Sequence, residues 1–112
     1  MVHLSLRIDL STGKRVGPGK VALLEAIQRH GSISAGGRTL QMSYRRAWTL
    51  VEDLNRSFGA PVVMTQSGGR AGGGARLTRI GRDVVRHYRA VEHKAERAAA
   101  GHLHALQTMV SP

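Results

Sequence analysis

A chain of 112 residues makes one domain with a modest core and has no room for a second folded unit of ordinary size. Lys and Arg number 17 against 7 Asp and Glu, a net charge of +10 that points to an anionic partner such as nucleic acid or an acidic membrane surface. No apolar run approaches the roughly 18 residues of a membrane span, cysteine is absent, and the 4% of aromatic residues argues against a base-stacking platform; the expectation is a cytoplasmic protein without thiol chemistry. In chain order, Leu4, Leu6, Ile8 and Leu10 alternate with polar residues, the period of a strand with one buried face. Ser11 to Lys14 turns the chain, and Pro18 suits the first turn of a helix whose Val21, Leu24 and Ile27, widened by Leu23, fall at helical spacing before Gly31 stops it.

Ser32 caps a short second helix over residues 33–40, and Ser43 caps a third that runs to about residue 55 or 58. In the third, Ala47, Leu50, Val51, Leu54 and Phe58 form the inward stripe. Two short helices joined by a tight turn make a helix-turn-helix. Residues 62–66 read as a strand and residues 75–77 as its return, framing the glycines between Ser67 and Ala75 as a hairpin. From Thr78 a last helix carries Val84, Tyr88, Val91, Ala95 and Ala98 at four-three spacing, a seam for another helix.

This order predicts a mainly α fold with a small β-sheet (α+β): a winged helix-turn-helix with a long C-terminal dimerisation helix. Residues 1–98 are expected to form it, with the dimerisation helix from about 78 and residues 99–112 as a helix continuation or a flexible tail. A nucleotide-binding loop is excluded, because Gly73 is followed by Gly74-Ala75 where Lys and Ser or Thr are needed. Six histidines lack ligand spacing, so no metal or other cofactor is expected, and no arrangement of the acids supports catalysis.

The stretches SISAGGRTLQMSYRRAWTLVEDLN and TQSGGRAGGGARLTRIG resemble the N-terminal DNA-binding domain of ModE-type, molybdate-responsive transcription regulators, and more distantly LysR-type regulators. Ser43-Tyr44-x-x-Ala47-Trp48, followed by the glycine tip and Leu77-Thr78-x-x-Gly81, is the most specific part. Members usually carry a C-terminal molybdate-binding domain after the long helix, and nothing here corresponds to it. The resemblance therefore implies a bacterial-type, cytoplasmic and nucleoid-associated regulator that binds double-stranded DNA sequence-specifically as a homodimer, with molybdate not expected to bind this chain.

In that reading the recognition helix 43–55 enters the major groove with Ser43, Tyr44, Arg45, Arg46 and Thr49 near base edges, and Trp48 stands at the border between core and groove. Ser32, Ser34 and Arg38 face the backbone, and Arg70 is the one charge of the glycine-rich wing 67–75. Val84, Tyr88, Val91 and Ala95 form the dimerisation seam. The competing expectations are a basic protein that coats or bends DNA without sequence preference, and an adaptor whose last helix recruits a separate sensor. Two departures from the family bear on stability: Gly36-Gly37 replaces an alanine pair, costing a short helix roughly 2 kcal/mol, and Gln41 fills a turn position often held by glycine.

Overall fold

The computed structural model describes residues 2–66 and 73–112. Two short strands open the chain: β1 (Ile8–Ser11) pairs antiparallel with β2 (Lys14–Val16), Ile8 opposite Val16, around Gly13 at φ +73°. The helix α1 (Pro18–His30) starts on its proline and ends where Gly31, at φ +80°, turns its N–H back to the Ile27 carbonyl at 2.8 Å. A left-handed residue at this point satisfies a carbonyl that the helix leaves open.

Ser32 and Ser43 cap α2 (Ile33–Thr39) and α3 (Tyr44–Phe58), their hydroxyls accepting from the Ala35 and Arg46 N–H groups at 3.0 Å each. After Gly59, β3 (Val63–Gln66) pairs antiparallel with β4 (Gly74–Leu77), Val63 opposite Leu77. Thr78 then caps α4 (Arg79–Ala98), and α5 (Ala100–Thr108) follows. Val21, Leu23, Leu24 and Ile27 of α1 meet Ala47, Leu50, Val51 and Leu54 of α3 in one core that Val62, Leu77 and Tyr88 complete. Side chains tie the second sheet to this core: the Leu77 N–H donates to Gln28 Oε1 and the Val62 N–H to Asn55 Oδ1, each at 2.8 Å.

The stripes read from periodicity in α1 and α3 are buried, apart from half-buried Phe58, and three other expectations are corrected. The alternating run does not make a strand from Leu4; the strand begins at Ile8, and Leu10 is 52% exposed. Instead of one small sheet there are two separate two-stranded sheets, the first using Lys14–Val16, which has too few residues to display a period. The expected winged helix with a long dimerisation helix is replaced by five helices and these two sheets among the described residues. In the expected seam, Tyr88 is buried within its own chain, while Val84 is half-buried against the same core. Val91 is exposed and Ala95 half-buried.

Candidate ligand-binding groove

The first turns of α2 and α3 face the ends of β3 and β4 across a groove of about 290 Å³. One wall holds Ser32, Ser34, Tyr44 and Trp48; the other holds Thr65, Gln66, Gly73 and Gly74. The α2–α3 geometry depends on Gly36 and Gly37, both buried. A Cβ on Gly36 would lie 2.8 Å from the Ile27 backbone nitrogen, and one on Gly37 would lie 2.9 Å from the Ala47 Cβ. The pair therefore sets how closely α2 lies on α1 and α3, and with it where Ser32 and Ser34 stand.

Tyr44 and Trp48, four residues apart, share one face of α3 and meet edge to face, with ring centroids 6.2 Å apart and planes at 73°. Trp48 is half-buried against the core, while Tyr44 is 61% exposed. Trp48 thus packs on the core and also lines this surface groove. An exposed tyrosine braced by a fixed indole offers a flat ligand an aromatic surface at small entropic cost.

Of the residues singled out from sequence, Ser32, Ser34, Tyr44 and Trp48 converge here. Ser43 is committed to its cap, and the Thr49 hydroxyl donates to the Arg45 carbonyl at 3.0 Å. Arg38, Arg45 and Arg46 are exposed, do not line the groove and form no ion pair among the described residues. Arg70, with the tip of the expected wing, lies outside the described residues. Thr65 and Gln66 were missed; the available signal was two exposed polar residues closing a β-branched strand beside a glycine run. Among the described residues no group of three His, Asp or Glu is placed to hold a metal ion, and no helix is long and apolar enough to cross a membrane.

No protein-family model matches the chain. It is similar to the molybdenum-pterin-binding protein MopB of Rhodobacter capsulatus, with 49% identity over 72% of this chain and 30% of that protein. MopA of the same organism, also named molybdenum-pterin-binding, is 41% identical over 72% of this chain and 31% of its own length. The molybdenum transport protein ModE of Azotobacter vinelandii is 38% identical over 78% of this chain and 32% of that protein. Further ModE proteins, named transcriptional regulators, match over a shorter span or at lower identity. The chain thus spans about a third of the length of the curated relatives it matches.

These likenesses correct the assignment made from sequence. The relatives include proteins named for binding molybdenum-pterin, and this replaces the reading as the N-terminal DNA-binding domain of a ModE-type or, more distantly, LysR-type regulator. The homodimeric sequence-specific regulator, its double-stranded DNA partner and the two competing readings fall with that assignment. The expectation that molybdate has no place with this chain is corrected on the same ground: molybdenum is the element common to the names of the relatives described.

Proposed function

We propose that the chain is a non-catalytic recognition module of a cytoplasmic molybdenum-handling protein, and that its groove takes the flat ring of a molybdenum-pterin. The observation that carries this reading is the 49% identity to MopB over 72% of the chain. The groove's chemistry supports it. Tyr44 and Trp48 supply an aromatic wall, while the Ser34 and Thr65 hydroxyls and the Gln66 amide supply donors and acceptors for the edges of a heterocycle. At about 290 Å³ the space lies at the small end of ordinary ligand pockets, which suits a bicyclic ring better than a larger cofactor.

Trp48 is the single tryptophan of the chain, so its fluorescence reports on the groove directly. Titration with a molybdenum-pterin, and with a pterin lacking the metal, is expected to quench Trp48 saturably, and Tyr44→Ala to weaken binding about tenfold, the usual size of one lost aromatic contact. A DNA duplex titrated in parallel is the decisive control. Quenching by the duplex with no response to either pterin would overturn the reading.

A further inference from the structure

At the other end of α3, about 20 Å away at helical rise, lies a cavity of about 490 Å³ that shares no residue with the groove. Its lining brings together Lys14 and Arg15 of β2, Lys20 of α1 and Arg56 of α3, with hydroxyls from Thr12 and Ser57. The one carboxylate in the lining, Asp53, is already paired with Arg56. Lys14, Arg15 and Lys20 have no carboxylate partner among the described residues, and the Lys20 ammonium is held near the turn by donating to the Arg15 carbonyl at 3.3 Å.

We propose that this cavity is a binding site for a tetrahedral, doubly charged oxyanion. Three cations without partners converge on one concave space, and each raises the electrostatic cost of the others until an anion enters. The C-terminal end of α3 opposes binding with only about half a negative charge, too little to offset three cations. Hydroxyl donors at Thr12 and Ser57 complete the set, since an oxyanion accepts from several directions at once. Phosphate, sulfate and molybdate share this chemistry, and the cavity is independent of whether a pterin occupies the groove.

The test is calorimetric titration of the whole chain with molybdate, phosphate and sulfate separately, in a chloride buffer of fixed ionic strength. Saturable one-to-one binding is expected, and the tightest of the three anions names the source. The double variant K14Q/K20Q is expected to weaken it about tenfold or more, the loss of one or two charge-assisted contacts. A control, R86Q/R97Q, removes two cations that do not line the cavity and is expected to leave affinity within about twofold, because salt screens exposed charges that make no direct contact with the anion. Amide resonances of Thr12, Gly13 and Ser57 are expected to shift with the anion. Absence of saturable binding by the unaltered chain overturns the proposal, as does equal weakening by the control pair. Because Trp48 reports on the groove alone, failure here is distinguishable from failure of the pterin reading.

Discussion

Gly36 illustrates how packing overrides propensity at a single residue. On propensity alone the Gly36-Gly37 pair costs α2 roughly 2 kcal/mol against two alanines, yet an alanine at 36 would meet the α1 backbone at Ile27. Backbone cannot rotate away as a side chain does, so α2 would have to move outward. Gly36→Ala is therefore expected to destabilise the chain by about 1 to 3 kcal/mol, the usual cost of overpacking, read as a lower urea midpoint with unchanged slope. Gly81 is more restrictive still, because its added Cβ would collide with the Val62 carbonyl oxygen. Gln41 shows the reverse imbalance. It stands at φ +60°, the only described non-glycine residue with positive φ, where a side chain strains the backbone by about 1 kcal/mol or more. Its side chain makes no hydrogen bond among the described residues, so Gln41→Gly is expected to raise stability by about 0.5 to 1 kcal/mol. A thermal melt checks this, and a fall in the midpoint would mean that Gln41 contributes a contact worth more than its strain.

At the scale of elements, α4 is held by residues far away in sequence. The Tyr88 hydroxyl donates to the Leu6 carbonyl at 2.6 Å, and the Arg89 guanidinium grips Glu25 of α1 through two bonds of 2.6 and 3.1 Å while also reaching Glu92 at 2.7 Å. Hydrogen bonds to Glu25 are the main reason the Arg89 guanidinium is held protonated even more firmly than usual. Burial is the leading cause that pushes the Tyr88 phenol above the ordinary tyrosine value of 10.0, with Glu92 adding to it. A raised phenol favours the neutral form in the folded state. Its contribution is therefore complete below the unfolded tyrosine value and is lost as pH climbs through the folded one. Tyr88→Phe is expected to cost about 1 kcal/mol near neutral pH and to flatten the alkaline loss of stability, which denaturant titrations from pH 8 to about 11 will read. The stripes of α1 and α3 were legible in sequence because each repeats within one helix. The role of Tyr88 was not, since its spacing with Val84 and Val91 marks an apolar face without saying what covers it. The cover is a segment 82 positions earlier. The β1–β2 pair escaped for a similar reason: Lys14–Val16 is a strand only because Gly13 lets it fold back on Ile8. For the groove, Tyr44 and the two serines were readable at the starts of capped helices and Trp48 at the border of the core, whereas Thr65 and Gln66 depend on how β3 lies against α2 and α3.

Across the whole molecule, order and packing are unevenly distributed. The Cα radius of gyration is 16.3 Å and the longest extent 54 Å, against about 13 Å for a compact domain of 100 residues. Within this length α5 has no buried residue, and Leu106 in it and Met109 and Val110 after it are 60% exposed or more. Among the described residues the buried core and the long-range side-chain bonds lie before residue 93: the α1–α3 core, the two sheets, Tyr88 and the Arg89 ion pairs. A helix without a buried face draws its order from propensity alone, and nine residues are too few for that to be strong. Amides of α5 are therefore expected to exchange orders of magnitude faster than those of α1, whose opening requires loss of the core. Deleting residues 99–112 is expected to shift the melting midpoint by no more than about 2 °C, less than a loss of 1 kcal/mol produces in a domain of this size. If the shortened chain instead melts many degrees lower, or if α5 amides are as protected as those of α1, then this helix is covered in solution by a surface that the single chain does not supply.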